Sequence, residues 1–272
     1  MPADPVQLLL GSTARNGVRA DGDAIVVDRL EKRYPNGTEA VRGISFRVGA
    51  GEVFGLLGPN GAGKSTMMGI LGTLVRPTGG RATVAGYDVA KAPQLVRGQI
   101  GFAMQEVGVD ALATGRELVV LHARLHGLPR REAARRAALV LALVGIGDAA
   151  RRRMSEYSGG MRRRVDLASA LVHLPPVLFL DEPTEGLDPH GRAAIWDAIE
   201  RLNQELGMTV VLTTHYMEEA DRLCERVAIV DRGRIVTEGT PAELKRTLGA
   251  PHAVTLEDVY LRTTGRTLEV AA

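Results

Sequence analysis

The run Gly58, Pro59, Asn60, Gly61, Ala62, Gly63, Lys64, Ser65 and Thr66 fits the pattern G-x-x-x-x-G-K-[ST]. Glycines at these places let the backbone turn tightly and bring its N–H groups against an anion. Lys64 is then placed to bridge the β- and γ-phosphates of a nucleotide, and Ser65 to ligate Mg²⁺. A plain glycine-rich turn ahead of a lysine would carry the same letters. It would not need the apolar stretch Val53, Phe54, Gly55, Leu56, Leu57 before it, nor Met67, Met68, Ile70, Leu71 and Leu74 after it. That context, strand then loop then helix, is what a phosphate site requires.

A second group could supply hydrolysis. Val177, Leu178, Phe179 and Leu180 are apolar without alternation, as in a strand buried on both faces, and they deliver Asp181 and Glu182 to its end. Neighbouring residues on a strand point to opposite sides, so Asp181 suits the metal and Glu182 the attacking water. Val210, Val211, Leu212, Thr213 and Thr214 repeat the formula and end in His215, a candidate donor to a γ-phosphate oxygen; a satisfied loop histidine is the alternative. Gln105 closes another short apolar run, where it could touch Mg²⁺ or a water, or merely close the loop.

Ser158, Gly159 and Gly160 read as an N-cap with bare N–H groups beyond it, a second anion site. One triphosphate rarely needs two such sites, so this one is expected to face a nucleotide held by another subunit. Asp188 followed by Pro189 reads as a further N-cap with proline at the first helical position. Tyr34, beside the turn Pro35, Asn36, Gly37, could stack on an adenine ring or simply flank a hairpin.

These residues imply an α/β fold whose elements alternate around a nucleotide. Alternation at Ile44, Phe46 and Val48 after Ile25, Val26 and Val27 predicts a small antiparallel β-layer ahead of the core. Thr114 to Glu117 is a capping box, and a helical pattern runs on to about Val144. This stretch, interrupting a β-rich chain, reads as a separate lobe at about 106–170. Residues 1–23 carry no sustained period and are expected to form a poorly ordered leader; 24–245 form the nucleotide-binding domain and 246–272 a tail with a short helix.

Composition removes several function classes. Of 272 residues 45% are hydrophobic and 24% charged, ordinary for a globular chain. A formal charge of +2, and arginine pairs with no aromatics among them, give no reason to expect nucleic acid. Cys224 is the only cysteine, so no internal disulfide forms. The early apolar run from Val6 to Leu10 is too short to span a bilayer, so work at a membrane requires another chain.

The joint occurrence of the phosphate loop, Gln105, Ser158 with Gly159 and Gly160, Leu178 through Asp181 and Glu182, Leu187 with Asp188, and His215 resembles the ATP-binding subunit of ABC transporters over residues 24–245. The run from Tyr157 to Arg164, and Leu256, Glu257, Asp258, Val259 and Tyr260 near the end, look like the daunorubicin-type antibiotic-resistance exporter ATPases. The resemblance implies a P-loop NTPase core with a mainly parallel sheet, an N-terminal antiparallel layer and a helical lobe. It implies ATP and Mg²⁺ as cofactors, with Glu182, His215 and Lys64 catalytic, and Ser65, Gln105 and Asp181 around the metal. Tyr34 would stack adenine, and Asp188 would lie near the shared site. Two copies would pair head to tail, each nucleotide touching the phosphate loop of one and Ser158, Gly159 and Gly160 of the other. A separate membrane permease would complete the assembly at the inner face of the cell membrane. Tyr157, Met161 and Glu185 depart from the common family residues, and Glu185 bears on the contact across the pair. Rival readings are an ATPase of the same class without a transporter, acting in DNA repair or on ribosomes, and a nucleotide-gated binding module without turnover. The first calls for a coiled-coil insert or two cassettes in one chain, and neither is visible.

Overall fold

The computed structural model describes residues 5–10, 22–104, 110–248 and 254–265. A short helix α1 (Pro5–Leu10) precedes two long strands, β1 (Asp23–Arg33) and β2 (Glu39–Gly49). Strand β3 (Val53–Leu57) leads through the glycine loop into α2 (Lys64–Leu71). Then come β4 (Gly79–Val84), β5 (Tyr87–Asp88), α3 (Pro93–Gln99) and β6 (Ile100–Ala103). Helices α4 (Gly115–Leu125), α5 (Arg130–Leu143) and α6 (Gly159–Leu171) follow. The rest alternates as β7 (Val177–Asp181), α7 (Pro189–Leu206), β8 (Thr209–Thr214), α8 (Met217–Leu223), β9 (Arg226–Asp231), β10 (Arg234–Gly239), α9 (Pro241–Arg246) and α10 (Leu256–Thr264).

Two sheets result. The antiparallel layer runs β2-β1-β4-β5, and the core sheet runs β10-β9-β3-β8-β7-β6. In the core sheet β3, β6, β7, β8 and β9 are parallel, and only β10 turns back against β9. The expected α/β architecture, a mainly parallel sheet with an antiparallel layer and a helical lobe, is therefore what the chain adopts.

Strand alternation divides the interior in two. Val177 and Phe179 of β7 face the phosphate helix and the antiparallel layer, packing with Met67, Met68, Ile70 and Phe54. Leu178 and Leu180 face the other side, where α4, α5 and α6 pack together. A strand buried on both faces carries an unbroken apolar run, 177–180 in β7 and 210–212 in β8, with its buried polar residues Asp181, Thr209, Thr213 and Thr214 at the strand ends.

Within the expected leader, Pro5–Leu10 departs from expectation. Pro5–Leu10 is helical, Leu9 is fully buried, and α1 packs on α5 and α7, with Arg135 reaching the Leu8 carbonyl. Six residues are too few to display a helical period, so the segment looked featureless.

Candidate active site

Parallel strands present their carboxyl ends on one edge, and β3, β8 and β7 are neighbours there. The phosphate loop leaves β3, His215 follows β8, and Asp181 ends β7. Adjacency in the sheet, not in sequence, is what brings these residues together.

The loop is held from both sides by backbone. Gly58 N–H donates to the Thr214 carbonyl at 3.3 Å, and Gly233 N–H donates to the Ala62 carbonyl at 2.8 Å. Gly63 has φ of 104°, and a Cβ there would stand 2.2 Å from the Ala40 carbonyl oxygen. A Cβ on Gly58 would stand 2.2 Å from that of Val230. Both positions therefore demand glycine. The Lys64 ammonium is almost fully buried and donates to the Gly58 carbonyl at 2.6 Å and the Pro59 carbonyl at 3.2 Å.

Asp181 and Glu182 both lie beside the phosphate loop, but strand alternation is not what separates them. Asp181 Oδ1 accepts from Ser65 Oγ at 3.3 Å and from Thr213 Oγ1 at 2.5 Å. Glu182 lies past the strand with φ of 48°, a left-handed conformation that costs a residue with a Cβ roughly 1–2 kcal/mol. Its N–H donates to Thr213 Oγ1 at 3.0 Å. The turn carries its carboxylate to 3.4 Å from Lys64 Nζ and 3.3 Å from His215 Nδ1. Burial pushes the Glu182 carboxyl up, but His215 and Lys64 outweigh it and hold it below the usual range. Burial lowers the Lys64 ammonium, opposed by Glu182, Asp181 and Glu185.

A cavity of about 730 Å³ opens above the loop. Tyr34, Pro59, Asn60, Gly61, Gly63, Lys64, Ser65, Thr66 and Glu182 line it. Tyr34 is tied to the loop by a 3.4 Å contact between its hydroxyl and Thr66 Oγ1, and Lys32 Nζ sits 5.0 Å over its ring. Sequence reasoning missed Arg33, Arg42 and Arg232, which also line the cavity beside Glu39, the ion-pair partner of Arg42 at 3.7 Å. They arrive from the antiparallel layer and the β9–β10 turn, and only topology puts them there.

Ser158, Gly159, Gly160, Asp188 and His215 are not among the described residues lining this cavity. Ser158 caps α6, accepting from Met161 N–H at 3.3 Å, and Asp188 caps α7, accepting from Gly191 N–H at 2.6 Å. Gln105 lies outside the described residues.

Sequence reasoning also missed Arg163. Its buried guanidinium on α6 donates to the carbonyls of Pro183 and Glu182, at 3.2 and 2.6 Å, and to those of Asp181 and Met104.

The donors fit a nucleotide with a hard divalent cation. Ser65 and Asp181 offer hydroxyl and carboxylate oxygen, the set Mg²⁺ takes when phosphates and water fill the rest of its shell. Among the described residues no group of three or more His, Cys, Asp or Glu could hold a metal by itself.

Comparison with known proteins agrees with the geometry. Residues 41–185 match the family described as ABC transporter. The chain is 47% identical over 243 residues to the daunorubicin resistance ATP-binding protein DrrA3 of Streptomyces coeruleorubidus, covering 89% of this chain and 75% of that one. It is 49% identical over 233 residues to the doxorubicin resistance ATP-binding protein DrrA of Mycobacterium tuberculosis, covering 85% and 70%. Among solved structures it is similar to the ATP-binding cassette MJ0796 in a dimeric post-hydrolysis state bound to ADP and Pi. That match has a TM-score of 0.74 and 29% identity over 79% of this chain and 98% of that one.

Proposed function

The chain belongs to the ABC transporter family, and from that premise we propose that it is the ATP-hydrolysing subunit of a drug or antibiotic exporter, paired with a second copy and a separate membrane permease. The observation that carries this reading is the Glu182 carboxylate set between Lys64 Nζ and His215 Nδ1 beside the phosphate loop.

The adenine would lie on Tyr34, with the phosphate chain cradled by Gly58, Pro59, Asn60, Gly61, Ala62, Gly63 and Thr66. Lys64 exchanges its loop carbonyls for phosphate oxygens and offsets charge on the transferred group. Glu182, ionised at neutral pH, accepts a hydrogen bond from the attacking water and orients it. His215 donates toward the γ-phosphate. Ser65 and Asp181, with Gln105, would hold Mg²⁺, whose charge would stabilise the phosphate oxygens when bound.

Ser158, Gly159 and Gly160, exposed or part-exposed at the start of α6, would meet the nucleotide of the second copy, with Asp188 close to the same junction. Two nucleotides would thus be closed between two chains. No described helix is long and apolar enough to cross a membrane, so export falls to a partner at the inner membrane face. No nucleic acid is involved. The cargo is a drug-like or lipid-like molecule handled by the permease.

Glu182→Gln tests the reading. It is expected to keep ATP binding by calorimetry and to lower phosphate release at least about 100-fold; wild-type turnover would remove Glu182 from the reaction. Purification from membranes is expected to bring an integral protein that stimulates hydrolysis.

A further inference from the structure

Arg163 stands on α6 beyond its cap Ser158, yet its side chain leaves the helical lobe and ends under the hydrolytic residues. One edge of the guanidinium serves the end of β7 and the turn beyond it: Nε donates to Pro183, and Nη2 to Asp181 and Glu182. Nη1 serves the end of β6 through the Met104 carbonyl. A planar fork with several donors can span carbonyls from two strands, whereas an ammonium is a single point. Burial pulls the guanidinium below its ordinary value, and Asp166, Asp181, Glu185 and Glu219 push it back.

The residue it grips is the strained one. Glu182 holds φ of 48°, a region L-residues rarely adopt, and such strain persists only where neighbours over-determine it. Thr213 fixes the N–H of Glu182 through its carbonyl at 3.2 Å and its Oγ1 at 3.0 Å. Arg163 fixes the carbonyl of the same residue at 2.6 Å. The start of α6 also lies near the chain beyond Glu182, where a Cβ added to Gly160 would stand 3.4 Å from Leu187 Cδ2.

We propose that Arg163 is a positioning residue for hydrolysis: it holds the backbone turn that aims Glu182 between Lys64 and His215, and it makes that aim depend on where α6 stands. The inference rests on the assignment of Glu182 to the attacking water. It gives the lobe a direct lever on the reaction, because the helix that would meet the second copy's nucleotide also grips the carbonyl of this copy's Glu182.

The test is Arg163→Lys in the full chain, alone and combined with Glu182→Gln, with phosphate release followed from radiolabelled ATP. Arg163→Lys is expected to lower kcat about 100-fold while KM and ATP affinity change by no more than about twofold. In the Glu182→Gln background it is expected to change the residual rate less than about threefold, because the aim it maintains no longer matters. An equal loss in both backgrounds, a KM that rises with the loss, or an unchanged kcat would each overturn the proposal. Arg163→Gln, which keeps amide donors without the buried charge, is expected to repeat the pattern. If both variants lose ATP binding or the cooperative melt, Arg163 is scaffold and the proposal is overturned. Wild-type turnover in Glu182→Gln alone would instead strike the assignment of Glu182, a separate outcome.

Discussion

His215 Nδ1 faces Glu182 Oε2 at 3.3 Å, and neither atom has a hydrogen-bond partner among the described residues. The two are close enough to attract but not aligned to bond. The attacking water would satisfy both, donating to the carboxylate and accepting from the ring, whereas a phosphate oxygen could accept from His215 alone; buried polar atoms are rarely left unpaired. His215→Ala is therefore expected to lower kcat about 100-fold and to leave ATP affinity within a few-fold, with His215→Gln recovering part of the rate through its amide donor. Steady-state kinetics beside calorimetry separates the two effects; a loss of affinity matching the loss of rate would place His215 in binding.

Lys64 is the buried cation that two loop carbonyls hold in waiting. Lys64→Ala is expected to weaken Mg·ATP binding at least about tenfold, the effect of losing a charge-assisted contact. Titration calorimetry reads this directly, and wild-type affinity would overturn the loop assignment.

Ser158→Asp separates the cap from the proposed phosphate contact. An aspartate caps a helix as well as serine does, so stability is expected to hold. Its charge would repel the nucleotide of the second copy. Binding to one chain should be unchanged, while the ATP-induced dimer and hydrolysis are lost; size-exclusion chromatography with ATP, in a chain made slow by Glu182→Gln, reports the first.

Asp166 makes stability fall with rising pH. Burial pushes its carboxyl up to about 7, against the pull of Arg163, and its Oδ2 lacks a hydrogen-bond partner among the described residues. Between the ordinary value of 3.8 and about 7 the folded chain keeps a proton that the unfolded chain has released. The stabilisation is full below that window and lost as pH climbs through it. Asp166→Asn cannot ionise, so its Tm is expected to exceed the wild type's above about pH 7, with the gap closing toward about pH 4. A gap that widens toward acid would contradict the sign.

How far the site was legible depended on whether residue type or topology carries the information. A loop that approaches an anion must be written in glycine, so Gly58, Gly61 and Gly63 beside Lys64 announced it. Strands buried on both faces carry unbroken apolar runs, so residues 177–180 of β7 and 210–212 of β8 pointed to Asp181, Glu182 and His215 beyond them. Arg163 was hidden because Arg162, Arg163 and Arg164 are alike in type. The signal lay in phase: Arg163 shares a helical face with Leu167 and Ala170, all buried. The left-handed turn at Glu182 had no signal at all, since glutamate does not advertise positive φ. Arg33, Arg42 and Arg232 join the cavity through sheet packing that no local pattern encodes.

The backbones of Ala40 and Val230, pressed against Gly63 and Gly58, also decide how this chain can be engineered. Exchanging loop glycines for alanine is a common route to a hardier protein, because it stiffens the unfolded chain. That route is closed at both positions, where the added methyl would collide with a carbonyl that cannot rotate away. Gly98, within α3 and with open space around it, is where the same exchange finds room. Thermal hardening of this chain has to be sought away from the nucleotide.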